Sequence, residues 1–107
     1  MILEELKEKA AGLPLVPGVY LMRDKTNQVI YVGKAKKLKN RVSQYFQDTA
    51  SHTPKTRLMV SKVDHFDVIV AASEFEALVL RLAAVQDYSE NSREHPKGSY
   101  INILFHI

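Results

Sequence analysis

Two short segments of the chain mirror each other: Gly18-Val19-Tyr20 and Tyr31-Val32-Gly33, the second being the first reversed. Asp24-Lys25-Thr26-Asn27 lies between them and has turn chemistry. Apolar strand residues on both sides of such a turn specify an antiparallel hairpin. Centred between Lys25 and Thr26, the hairpin pairs Tyr20 with Tyr31, Val19 with Val32 and Gly18 with Gly33. Directly opposed residues share a face, with Cβ atoms about 4.5–5.5 Å apart. Two phenols would then stand side by side, each near a glycine that leaves the backbone open. A cross-strand aromatic pair is ordinarily packing. What turns this one toward a site is the run that follows, from Gly33 to Val42, in which five of the eight residues from Lys34 to Arg41 are Lys or Arg.

The 107 residues suit a single domain with a modest core. With no cysteine there is neither a disulfide nor a thiolate metal site, in keeping with a reducing cytoplasm. The longest apolar runs, such as Val68 to Ala72, are too short to span a bilayer. Met1 to Leu13 alternates Glu and Lys with Ile2, Leu3, Leu6 and Ala10, which is an amphipathic helix and not a signal peptide. The spacing predicts a helix over 2–12, strands over 18–23 and 28–33, and a helix over 35–46 carrying Leu38, Val42, Tyr45 and Phe46 on one stripe. A short helix over 55–63 and a strand through Phe66, Val68 and Val70 follow. A helix from Glu74 to about Gln86 has Ser73 as N-cap. Residues 87–99 read as a polar loop, and Tyr100 to Ile107 as β-like. Three strands with interspersed helices make an α/β or α+β fold, a small sheet flanked by helices. His52, His65, His95 and His106 lack metal-ligand spacing and read as surface or loop residues. Tyr88 and Tyr100 read as packing or tail residues.

The net charge of +3 says little by itself, but its placement says more. Lysines at a helix N-terminus oppose the macrodipole at about 0.3–1 kcal/mol each. A phosphate there would reverse that sign. The plain alternative is a solvated basic face. Arg41 and Tyr45, four residues apart, share a helix face that borders the apolar stripe and so looks toward Tyr20 and Tyr31. Arginine offers a planar fork that fits a phosphate. A phenol accepts a proton only if its pKa falls from about 10, which Lys34, Arg41 or a metal would promote. These parts suit phosphodiester cleavage.

Gly18-Val19-Tyr20, Tyr31-Val32-Gly33-Lys34-Ala35-Lys36 and Asn40-Arg41-Val42 with Tyr45-Phe46 resemble the GIY-YIG endonuclease domain, in the form that opens UvrC-type excinucleases. The match is strongest over 13–80 and includes Lys55-Thr56 and Ser73 to Leu80. The resemblance implies a three-stranded antiparallel sheet flanked by helices. It implies a nick made with one Mg²⁺ or Mn²⁺ on the 3′ side of a lesion in double-stranded DNA, during nucleotide excision repair. By similarity Tyr31 serves or assists as general base, and Tyr20 holds the hydrogen-bond network with Lys34 in support. Arg41 stabilises phosphorane charge, Tyr45 contacts the scissile region, and Gly18 and Gly33 are structural. Lys36, Lys37, Lys39 and Lys55 are the DNA-binding candidates. The implied partners are damaged DNA and the damage-loading subunit of the same excinuclease, in the cytoplasm. The chain would be a fragment of a longer protein.

The tail, 81–107, departs from the family. A glutamate that directly follows the stretch matching Ala77-Leu78-Val79-Leu80 holds the metal in the family, and here that position is Arg81. A hard cation held by one carboxylate and waters does not tolerate a guanidinium there. Glu76 lies roughly 140° round the helix from position 81. Glu90 is the candidate displaced ligand, with Asn102 as a displaced asparagine. The competing reading is a rewritten ligand helix. The alternative function is therefore a GIY-YIG DNA-binding module with impaired catalysis.

Overall fold

The mirrored segments do form two antiparallel strands, β1 (Gly18–Arg23) and β2 (Val29–Ala35). A third strand, β3 (His65–Val70), pairs antiparallel with the other side of β1, so the sheet order is β2-β1-β3. The computed structural model describes residues 2–47 and 51–94, with side chains through Tyr88.

The register differs from the mirror by two residues. Tyr20 stands opposite Gly33, Gly18 opposite Ala35 and Tyr31 opposite Met22. Direct Tyr20–Tyr31 and Gly18–Gly33 pairing is thus corrected, and the turn is the reason. Asp24 Oδ1 accepts from the Thr26 amide (2.9 Å), the Thr26 hydroxyl (2.6 Å) and the Gln28 amide (3.1 Å). Asn27 takes φ 67°, the left-handed region that asparagine tolerates. The turn therefore runs to Gln28, and β2 starts one residue later than expected. Arg23 pairs with Val29 and Met22 with Tyr31, which leaves Ile30 unopposed as a β-bulge. A one-residue slip would flip every side chain to the other face, whereas an even slip keeps the faces. Tyr20 and Tyr31 consequently share a face, as diagonal neighbours.

Both faces of the sheet are covered. Tyr20, Met22, Ile30 and Tyr31 pack with three helices, α1 (Leu3–Ala11), α2 (Leu38–Phe46) and α3 (Pro54–Lys62), through Leu6, Ala10, Leu38, Val42, Phe46 and Met59. Val19, Leu21, Val29 and Val32 pack on the other face against α4 (Glu74–Glu94) through Ala77, Leu80, Ala84 and Tyr88. Ser73 caps α4 by accepting from the Glu76 amide at 3.1 Å. Thr53 caps α3, with Pro54 in the first turn, where a missing amide hydrogen is harmless.

Two helix boundaries differ from expectation by more than one residue. α2 begins at Leu38 and not at residue 35, because β2 runs on through Ala35. α4 continues to Glu94, so the expected polar loop over 87–99 is helical as far as Glu94. No glycine or proline interrupts 87–94, and Tyr88 still packs on the core. The β-like reading of 100–107, with Tyr100 and Asn102, lies outside the described residues.

Asp24→Ala is expected to lower stability by about 1–2 kcal/mol, since it removes the acceptor that holds the turn. For a domain near 100 residues that is a fall of roughly 4–16 °C in thermal midpoint, measurable by circular dichroism.

Candidate active site

The site is built around glycine at position 33. A Cβ there would collide with Cζ and Oη of Tyr20, so only glycine lets the fully buried Tyr20 ring lie across the β2 backbone. Gly18 serves a second close approach. A Cβ on it would come within 2.6 Å of both the Ile69 carbonyl and Leu38 Cδ1. Leu38 is the first residue of α2, so Gly18 sets how closely that helix seats on the sheet.

α2 brings the third phenol. Ring centroids are 6.0 Å apart for Tyr20–Tyr31, 5.6 Å for Tyr20–Tyr45 and 6.3 Å for Tyr31–Tyr45. The Tyr20 and Tyr45 hydroxyls share a hydrogen bond of 2.7 Å. Tyr31 and Tyr45 remain slightly open to solvent, at 5% and 7% exposure. The Arg41 guanidinium lies 6.0 Å from the centre of the Tyr45 ring and interacts electrostatically with Tyr20.

Electrostatics assign states to these groups. Burial pushes the Tyr20 phenol far above its ordinary value, and the neighbouring Tyr45 and Tyr31 push the same way. Burial, followed by the Tyr31 charge, pushes Tyr45 up to about 12. Both shifts favour the neutral form of Tyr20 and Tyr45. The expectation that nearby cations lower the phenol pKa is reversed for Tyr20 and Tyr45, because desolvation outweighs the opposing pull of Arg41. The electrostatic interaction with Tyr20, above all, holds Arg41 above its ordinary value, so the guanidinium is permanently charged.

Beside the phenols lies a groove of about 370 Å³ lined by Lys34, Lys36, Lys37, Asn40, Arg41 and Gln44. Lys36 and Lys37 sit in the bend between β2 and α2. The first two amides of α2 are not open to an anion, since those of Leu38 and Lys39 donate to the Val16 (3.0 Å) and Pro14 (3.2 Å) carbonyls. The groove's charge comes from side chains. Lys39 is exposed on α2 and Lys55 on α3, and neither lines the groove. Among the described residues no acid pairs with Lys34, Lys36 or Lys37.

His52 is a neighbour of this site that no sequence signal announces. Its ring lies 6.2 Å from Tyr45 and its Nε2 is 3.1 Å from the Gln44 carbonyl. No local pattern marks it, because the chain between Phe46 and α3 has no periodicity. His65, read as surface or loop, begins β3 and bridges Asp64 (2.8 Å) and Asn27 (2.9 Å) beside the turn. His95 and His106 lie outside the described residues.

Arg81 is partly buried on α4, and its Nε donates to the Val32 carbonyl at 3.3 Å. Val32 sits between Tyr31 and Gly33 on an edge strand. Glu90 lies in α4, but its side chain is outside the described ones. Among the described residues no group of three or more His, Cys, Asp or Glu is arranged to hold a metal.

A β2-β1-β3 sheet with three phenols and an arginine converging beside its edge strand defines a GIY-YIG-type domain. Residues 16–92 match the family model described as the UvrC-like GIY-YIG domain. The chain is 54% identical over 83 residues to UvrABC system protein C of Caldicellulosiruptor saccharolyticus, covering 78% of this chain and 14% of that protein. It is 46% identical over 103 residues to the Alkaliphilus oremlandii protein of that name, covering 92% and 17%. The crystal structure of the GIY-YIG N-terminal endonuclease domain of Thermotoga maritima UvrC, bound to magnesium as its catalytic cation, superposes with TM-score 0.72 at 32% identity, covering 80% of this chain and 92% of that one. This chain belongs to the UvrC-like GIY-YIG family. It spans about one seventh of the length of the relatives it matches. No described helix is long and apolar enough to cross a membrane.

Proposed function

We propose that this chain is the endonuclease domain of a UvrC-type excinuclease, one domain of a longer cytoplasmic protein, and hydrolyses the phosphodiester 3′ to a DNA lesion in nucleotide excision repair. The observation that carries this reading is the phenol trio with Arg41 beside a basic groove, in a domain of this family. Its partners are damaged double-stranded DNA and the damage-loading subunit of the excinuclease.

The chain's own residues divide the work. Tyr31 takes the proton of the attacking water. Tyr20 and Tyr45, whose raised pKa values disfavour the phenolate, orient the site through their shared hydrogen bond. Arg41 supplies a fixed positive charge and a donor fork where negative charge develops on the phosphorus-bound oxygens. Lys34 supports it from β2. Lys36 and Lys37 hold flanking phosphates. The magnesium of the related domain supplies Lewis-acid chemistry when bound. In this chain a cationic side chain stands where the ion's carboxylate is expected, and the described residues do not fit the ion.

Arg81 thereby favours a second reading for the chain as it stands, namely DNA binding without cleavage. The two readings part on a duplex carrying a single lesion, assayed with Mg²⁺. A nick 3′ to the lesion made by the unaltered chain supports the first. Binding without a nick, with nicking by Arg81→Glu, supports the second. Neither binding nor nicking by either protein overturns both.

DNA contacts at this groove are to phosphates, so affinity is expected to be weak and steeply salt-dependent. Lys36→Gln with Lys37→Gln should weaken binding evenly across sequences. The double change should reduce the slope of log affinity against log salt by about 2, at roughly 0.9 per lost phosphate contact. An unchanged slope in fluorescence-anisotropy titrations would make the basic bend a merely solvated face.

A further inference from the structure

We propose that Arg81 takes the place of the divalent cation at this site, so that the chain holds a nucleic-acid phosphodiester without metal. The inference rests on reading the β2 edge as a phosphodiester site. It goes beyond that reading by assigning a charge at the β2 edge to a side chain of α4.

Three features of Arg81 support this. The first is anchorage. Nε donates to the Val32 carbonyl at 3.3 Å, which fixes the guanidinium on the edge strand, one residue from Tyr31 and one from Gly33. The second is spare donor capacity. Among the described residues no acid pairs with Arg81, and the Val32 carbonyl is its one hydrogen-bond partner. A guanidinium carries five N–H donors, so four are left for a ligand. The third is surroundings. Arg81 is partly buried and held to β2, the strand that carries Lys34 into a groove shared with Lys36, Lys37 and Arg41. Cationic side chains gathered along one edge strand disfavour a further cation there and favour a polyanion.

The charge logic decides between metal and phosphate. A divalent ion brought beside Arg81 meets a fixed positive charge and, among the described residues, no assembled set of ligands. A phosphodiester oxygen at the same place meets a planar donor fork with the geometry it prefers. A guanidinium can hold the phosphate, but unlike an ion it carries no water to activate.

Mn²⁺ binding, read by electron paramagnetic resonance, and duplex binding, read by anisotropy in EDTA or in Mg²⁺, test the proposal together. The unaltered chain is expected to bind no Mn²⁺ stoichiometrically at millimolar concentration. Its duplex affinity should change less than twofold between EDTA and Mg²⁺. Arg81→Gln keeps a donor for the Val32 carbonyl, and it should lose about tenfold in affinity without gaining Mn²⁺. Arg81→Glu should bind one Mn²⁺, and its duplex affinity should fall at least tenfold when Mg²⁺ is replaced by EDTA. Stoichiometric Mn²⁺ on the unaltered chain, EDTA-sensitive duplex binding, or an Arg81→Gln protein that binds as well as its parent overturns the inference. Absence of duplex binding under every condition overturns the phosphodiester reading itself, and Arg81's ligand with it.

Discussion

Gly33→Ala is expected to abolish cooperative folding. The added Cβ would collide with Cζ and Oη of Tyr20. That ring has nowhere to go, being fully buried between Tyr31, Tyr45 and the α2 side of the core. Overpacking a dense interior costs about 1–3 kcal/mol, and more where neither partner yields. Here one partner is backbone in the middle of a paired strand. Whole-domain stabilities are about 5–15 kcal/mol, so a clash that costs more than the usual range takes most of the margin of a small domain. Gly12→Ala is the control. Gly12 sits at φ −85° after α1, and a Cβ there meets nothing closer than 3.6 Å. It should be neutral or stabilise by roughly 0.4–1 kcal/mol. Urea melts of the two variants measure the contrast. A Gly33→Ala protein that unfolds within about 0.5 kcal/mol of its parent, the range of an ordinary surface change, would mean that the Tyr20 ring is not seated over the backbone.

Tyr31→Phe, made in a chain able to cut, is expected to lower the nicking rate by about 10²–10⁴-fold with duplex affinity unchanged. The background for this measurement is Arg81→Glu, if the unaltered chain does not nick. The exchange removes one hydroxyl and leaves the ring, its volume and its aromatic contacts, so the thermal midpoint should hold. Tyr20→Phe behaves differently because it breaks the 2.7 Å bond to Tyr45 in the interior. A buried hydroxyl left without its partner costs about 1–3 kcal/mol, so that variant loses stability as well as rate. Single-turnover kinetics with parallel melts separate the two cases. Undiminished cleavage by Tyr31→Phe would remove Tyr31 from the base role.

Much of this architecture is written locally. Asp24 and Asn27 announce the turn, Ser73 and Thr53 announce caps, and Leu38, Val42, Tyr45 and Phe46 announce the buried stripe of α2. Each signal depends on residues within one or two turns of chain, where side chain and backbone meet without help from the rest of the fold. The glycine–tyrosine mirror correctly indicates a hairpin and a shared face for the phenols. It misplaces their pairing by two residues, because symmetry of spelling does not include the Asp24 turn network or the Ile30 bulge. Polarity alone misjudges the end of α4, since a helix packed on a sheet can stay helical while its outer face turns polar.

Residue order is enough to yield the family motifs, the three-strand plan, the basic run and the unusual arginine at position 81. Which residues meet is another matter, and packing settles it. It seats Tyr20 on Gly33, joins the Tyr20 and Tyr45 hydroxyls, closes the α2 amides with Val16 and Pro14, and anchors Arg81 on the Val32 carbonyl. Local propensity acts over a few residues and is legible in them. The Tyr20–Tyr45 bond spans 25 residues of chain and the Arg81–Val32 bond spans 49. Geometry of that kind exists only once the sheet register and helix packing have brought distant segments together.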